Sequence, residues 1–189
     1  MWPSIRYQTP QFGIVAGYAC PATLRGMCRG SGDALASAVH FFEWSQQIPK
    51  PRFSVIQDID DPPFNSFLGE VCANLHLACG FVASASSSYY RDVDQVAEIG
   101  VGVFSRGVGV SHGYGHLVEI GEPVHVAGLT VRPGDLLHGD QHGIVNIPHE
   151  IAAEIAGRLK DLLDKEGPII ALCKSGNFTI KRLKELLKL

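Results

Sequence analysis

Two dipeptides, Gly69-Glu70 and Arg91-Asp92, bring together the groups that metal, acid–base and anion chemistry requires. Twenty residues, 71–90, separate Glu70 from Arg91. That is the length of one helix plus one strand, so both pairs can return to one edge of a sheet, where ligands collect in open α/β folds. Glu70 and Asp92 supply hard carboxylate oxygens suited to Mg²⁺ or Mn²⁺, directly or through water. Arg91 is a permanent planar cation able to hold a keto acid or to stabilise an enolate. If a helix begins here, the N–H groups of Gly69, Glu70 and Val71 face outward and, with the helix dipole, suit a substrate carboxylate. A glycine at position 69 lets a ligand approach closely. A structural account fits as well: Asp92 followed by Gln95 resembles a capped helix start, and the dipole alone favours Glu70 in a first turn. Spacing leaves both open.

Other reactive side chains read as structural. His112 and His116 lie four apart, as do His138 and His142, but the intervening glycines argue against helices that would align them on zinc. The run from His138 to Gly143 reads as a polar turn between strands. His40 and His76 fall on predicted helices, as partner-satisfied or surface residues. Asp58, Asp60 and Asp61 follow a predicted strand; an Asp-Pro turn is preferred over extra metal ligands. The five cysteines are odd in number and show no Cys-x-x-Cys spacing, which argues against a disulfide framework or zinc knuckle.

The elements that must position these residues follow from apolar periodicity and turn signals. Residues 13–19 form a first strand, followed by a Gly/Arg-rich loop through Gly32. A helix runs over 34–47 with Ser31 or Asp33 as N-cap, then a strand over 53–57. A second helix is expected over 67–79, with Leu68, Val71, Cys72, Leu75 and Ala78 on one face and Gly80 beyond its end. Phe81–Ala85 is a strand, Asp92–Ile99 a short helix, and 101–147 a strand-rich unit. Helical spacing of Ile151, Ile155, Leu159 and Leu162 precedes a basic amphipathic tail over 174–189. The order of βα units, hairpins and terminal helices predicts a mixed α/β layer fold.

Composition excludes several classes. Hydrophobic residues at 46% and charged residues at 19% describe a globular chain rather than a disordered one. A net charge of −3 gives no global attraction to nucleic acid, and the basic tail reads as a solvated face or subunit contact. No run has transmembrane length and the start lacks an apolar signal core, so a cytoplasmic protein is expected.

The pattern of Gly, an acidic residue, a twenty-residue gap and Arg-Asp resembles the signature of the RraA-like family. Further blocks agree in order: Leu68-Gly69-Glu70, Arg91-Asp92-Val93-Asp94, Val103-Phe104-Ser105-Arg106-Gly107, and Gly128 through Leu136, extending over Ile144 to Pro148. The resemblance is strong over 53–156, looser before it and poor beyond Gly167. It implies a β/β/α layered swivelling domain, akin to phosphohistidine domains, as one RraA-like domain over 1–189 with a helical extension over 167–189. It implies a homotrimer or hexamer, and for the family's aldolases a divalent-metal-dependent cleavage of 2-oxo acids that releases pyruvate. Their substrates include 4-hydroxy-4-methyl-2-oxoglutarate, with oxaloacetate decarboxylation as a related activity. Other members bind and inhibit ribonuclease E without known chemistry. Carried over, Arg91 contacts the keto-acid end, Asp92 helps hold Mg²⁺ or Mn²⁺, and Glu70 stands at the family's usual Asp position. The aldolases also take a carboxylate from a neighbouring subunit, for which Glu166 and Glu185 are candidates. Besides Glu70, a second departure is Ser87-Ser88-Tyr89-Tyr90 in place of an Asp-Gly-Ala-Val type run, which implies an altered pocket wall.

Overall fold

Alternation of side chains along the strands sets the layers. In the computed structural model, which describes residues 4–30, 34–110 and 112–189, β1 (Arg6–Tyr7) precedes a 3₁₀ turn and a long β2 (Val15–Arg25). There follow α1 (Ala34–Ser45), β3 (Arg52–Asp58), β4 (Ser66–Leu68), α2 (Glu70–Ala78), β5 (Phe81–Ser86), β6 (Tyr89–Tyr90) and α3 (Val93–Ile99). The strand-rich stretch comprises β7 (Gly102–Ser105), β8 (His116–Ile120), β9 (Val124–Val126), β10 (Leu129–Val131), β11 (Leu136–Asp140) and β12 (Gly143–Ile147). Ser31 and Asp33, the expected caps of α1, lie outside the described residues.

Among the described residues, eight strands form one mixed sheet in the order β1-β7-β5-β3-β2-β11-β12, with β8 also on β2. The pairs β2–β3, β3–β5 and β5–β7 are parallel, whereas β1, β8, β11 and β12 add antiparallel edges. Along β3, Phe53 and Val55 face the β9–β10 hairpin, packing with Val124, Val126 and Val131. Ile56 faces the other way, with Cys20, Ala22 and Leu24 of β2, onto Phe41 and Phe42 of α1. α2 and α3 close a third cluster through Ala73 and Val96 against Leu68, Tyr90 and Val103. Hairpin, sheet and helices are the β/β/α layers that were expected. Each fully buried Phe or Ile contributes about 1.5–3 kcal/mol through removal from water, so three clusters fix the sheet edge firmly.

Two element boundaries differ from expectation. β2 continues through Pro21 to Arg25, where a loop was expected. Its N-terminal half pairs with β11 and its C-terminal half with β8. Pro21 stands at the changeover, so its missing N–H costs no ladder bond. The second helix begins at Glu70 rather than Phe67, because 66–68 pair with β6 instead. Its buried residues are Ala73 and His76, whereas Val71 and Leu75 are exposed.

Residues Pro148–Leu189 form a second compact unit, described by itself. A 3₁₀ stretch, His149–Glu154, leads into α4 (Ile155–Lys174), which carries Pro168 within it, and α5 (Ile180–Leu187) follows. Thr179 Oγ1 accepts from Arg182 N at 3.2 Å, capping α5. No described helix is long and apolar enough to cross a membrane.

Candidate active site

A short parallel pair, β4 with β6, brings the two dipeptides together. Ser66 is in register with Tyr89 and Leu68 with Tyr90. Tyr89 N donates to Asn65 O at 2.8 Å and Arg91 N to Leu68 O at 2.9 Å. The chain therefore leaves β4 into α2 at Gly69 and leaves β6 into α3 at Asp92, side by side. Aromatic Tyr89-Tyr90 is a strand-prone dipeptide. That signal was present in the sequence, but a two-residue strand gives no periodicity to detect.

Gly69 is the N-cap of α2, with φ −140° and ψ −171°, a backbone open to any residue. Space, not conformation, selects glycine: a Cβ there would lie 2.5 Å from Asp92 Oδ2 and 2.9 Å from Arg91 Cζ. Asp92 sits at the N-cap position of α3 in the left-handed region, φ 58° and ψ 48°, yet its side chain makes no bond to its own helix. Instead Asp92 Oδ2 accepts from Glu70 N at 2.9 Å. The local capping box suggested by Gln95 is thus replaced by a cap on the neighbouring helix α2. Left-handed backbone is uncommon outside glycine, with Asp and Asn the most tolerant residues.

The same Oδ2 lies 3.7 Å from Arg91 Nε, and Arg91 Nη1 donates to Ser66 O at 2.7 Å. The guanidinium is therefore held from two sides at the mouth of a cleft. Because Glu70 N is taken by Asp92, the expected cradle of three free N–H groups shrinks to at most Gly69 and Val71. Glu70 itself is exposed in the first turn of α2, where its charge suits the helix dipole.

Beside this corner is a cleft of about 490 Å³, lined by Ser66, Val71, Cys72 and Arg91 together with residues of α1 and His112, Gly115 and His116. The apolar residues that looked like a buried helix face, Val71, Cys72 and Leu75, line this cleft. Tyr89 and Tyr90 do not, contrary to the expected change of pocket wall; Tyr90 is buried against Leu68 and Val96. Burial pushes the Tyr90 hydroxyl up. It also drives the Cys72 thiol to about 12, with Arg91 opposing.

The remaining candidates separate. His76 is fully buried among Phe41, Phe42, Phe67 and Phe81, with Ser54 Oγ 2.9 Å from Nε2 and Cys72 O 2.7 Å from Nδ1. Burial lowers it to about 4, so it is a satisfied core histidine. Asp58 and Asp60 are buried and serve the loops: Asp60 Oδ2 accepts from Gly26 N at 2.7 Å and Met27 N at 3.0 Å, and Asp58 Oδ2 accepts from Asn65 Nδ2 at 3.0 Å. The expected turn over 138–143 is shorter: His138 lies within β11, paired with Val145, and only His142 lies in the β11–β12 turn, where Asp140 Oδ1 accepts from His142 N at 2.8 Å.

Among the described residues, no group of three or more His, Cys, Asp or Glu side chains is placed to hold a metal ion. The donor set at the corner nevertheless fits a hard cation that keeps most of its water, since Mg²⁺ needs only one or two protein carboxylates. Asp92, with Oδ2 already shared, presents Oδ1 for such a role, and Glu70 is the adjacent carboxylate.

A protein-family model described as RraA-like, Aldolase/RraA, matches residues 4–146. MJ0644, an uncharacterized protein of Methanocaldococcus jannaschii, is 26% identical over 145 residues, 73% of this chain and 70% of that protein. The crystal structure of an uncharacterized protein from Pseudomonas syringae pv. tomato is similar at TM-score 0.72 and 25% identity, over 97% of this chain and 80% of that one. Streptomyces coelicolor RraAS2, an unusual member of the RNase ES inhibitor RraA protein family, shares the fold at TM-score 0.66 and 20% identity, over 82% of this chain and 75% of its own. The matched span contains β4, β6 and the whole Gly69–Asp92 corner, and the chain belongs to the RraA-like family.

Proposed function

We propose that this chain is a divalent-metal-dependent lyase that cleaves a C–C bond of a 2-oxo acid and releases pyruvate. The observation that carries the proposal is the convergence of Gly69, Arg91 and Asp92 at the start of α2, where the Asp92 and Arg91 side-chain ends close over the glycine. Arg91, oriented by Ser66 O and Asp92, binds the substrate carboxylate and stabilises the charge that develops on the C2 oxygen. Asp92 is the residue to hold Mg²⁺ or Mn²⁺, and the ion when bound would supply Lewis-acid polarisation of the C2 carbonyl. Glu70, exposed beside Asp92, is placed to pass protons to and from solvent. Asp92 thus has two duties, capping α2 and holding charge at the reacting end. A homotrimer or hexamer in the cytoplasm, with no nucleic-acid ligand, goes with this function.

The second reading is a non-catalytic protein that binds a partner, such as a ribonuclease. It is favoured by Ser87-Ser88-Tyr89-Tyr90, which stands before Arg91 in place of the Asp-Gly-Ala-Val type run. Pyruvate release from oxaloacetate and from branched hydroxy-oxo-dicarboxylates, measured with Mg²⁺ and with EDTA, separates the two. Metal-dependent release supports the lyase; none from any substrate supports the binding protein.

A further inference from the structure

The walls of the cleft beside Arg91 bear on which 2-oxo acid it would accept. Leu35, Ala38 and Phe42 of α1 line it together with Phe67, Val71 and Leu75. A volume of about 490 Å³ is in the range that encloses small ligands. Among the described lining residues, Arg91 is the one Lys or Arg. His112 and His116 also line the cleft, and His116 Nδ1 lies 2.8 Å from Tyr114 O.

One carboxylate is therefore matched and a second is not. A carboxylate carried into an apolar cleft without its own cation loses hydration that nothing replaces. Resting on the lyase proposal, we infer that the preferred substrate is a 4-hydroxy-2-oxo monocarboxylic acid with an apolar C4 substituent, rather than a branched dicarboxylate. Its carboxylate pairs with Arg91, and its C4 substituent lies along the leucine and phenylalanine side chains. In the reaction the C3–C4 bond breaks and the hydroxyl proton leaves as C4 becomes an aldehyde. The electron pair moves to C3 and the C2 oxygen as an enolate, which takes a proton at C3 to give pyruvate. No oxidant or other co-reactant is needed.

The test compares 4-hydroxy-2-oxo-4-phenylbutanoate with 4-hydroxy-4-methyl-2-oxoglutarate as substrates. In parallel, calorimetry with Mg²⁺ compares 2-oxo-4-phenylbutanoate with 2-oxoglutarate as ligands. The expected result is at least tenfold higher kcat/KM and at least tenfold tighter binding for the phenyl compounds. Leu75→Lys, at a partly exposed position, should weaken phenyl binding at least tenfold and narrow the preference without altering the melting temperature. Equal or better cleavage of the dicarboxylate overturns the substrate class and leaves the lyase standing. Selective phenyl binding without pyruvate from any compound removes the lyase and upholds the apolar ligand class. If neither ligand binds, or Leu75→Lys changes only the oligomeric state, the cleft is a surface between copies and the inference fails.

Discussion

A side chain at Gly69 would have to displace the ends of Asp92 and Arg91, although the backbone there would accept one. Gly69→Ala should therefore keep the fold and cost about 1 kcal/mol, the worth of the cap it disturbs. It should lower 2-oxo acid turnover at least tenfold by displacing Arg91 and Asp92. Urea unfolding beside a pyruvate assay checks both; unchanged turnover would show that the contact is not catalytic. Arg91→Lys keeps the charge but not the planar fork that reaches Ser66 O and Asp92 together. Its kcat/KM should drop by tenfold or more with the melting temperature nearly unchanged, and a wild-type value would contradict the role given to the guanidinium. The pairing of Gly69-Glu70 with Arg91-Asp92 was legible because a twenty-residue spacer is a topological quantity. The choice of helix that Asp92 caps was not, since the bond to Glu70 N spans 22 positions while the local box with Gln95 satisfied every short-range rule.

At the scale of elements, α2 shows how a helical pattern can identify a face without identifying what covers it. Leu68, Val71, Cys72, Leu75 and Ala78 were read as one face, yet Leu68 lies in β4 and Val71, Cys72 and Leu75 line the cleft. His76 fills the core instead, because Ser54 Oγ and Cys72 O meet both ring nitrogens. Likewise β2 runs on past residue 19 into what was expected to be a Gly/Arg-rich loop, and its neighbours on one edge change from β11 to β8 there. The His76 packing has a pH signature. The folded protein binds the His76 proton only near pH 4, against an ordinary value of 6.5. Between those values the unfolded chain holds more protons, so this contribution is complete above pH 6.5 and is lost as pH falls toward 4. The slope is at most about 1.4 kcal/mol per pH unit. The destabilisation caused by His76→Asn, measured in urea at pH 7 and pH 5, should shrink at pH 5. A penalty equal at both pH values would contradict a buried neutral imidazole.

For the whole molecule, the mixed α/β layering was legible because βα units, hairpins and terminal helices follow in order. The cleft was not, since it is assembled from α1, α2 and the 112–117 segment, which are far apart in sequence. A trimer or hexamer is expected in solution, and light scattering that gives a stable species of about 20.4 kDa would count against sites completed between subunits. RNA alone should bind weakly to a chain of net charge −3; tight binding with a steep inverse salt dependence would reverse that expectation. The central claim is that Asp92 holds catalytic charge as well as capping α2, and Asp92→Asn tests it most directly. Asn tolerates the left-handed backbone and caps about as well as Asp, so stability should change by less than about 1 kcal/mol. Pyruvate release should nevertheless fall by orders of magnitude, with partial recovery at high Mg²⁺ concentration. Full activity in Asp92→Asn, at an unchanged melting temperature, would contradict the account.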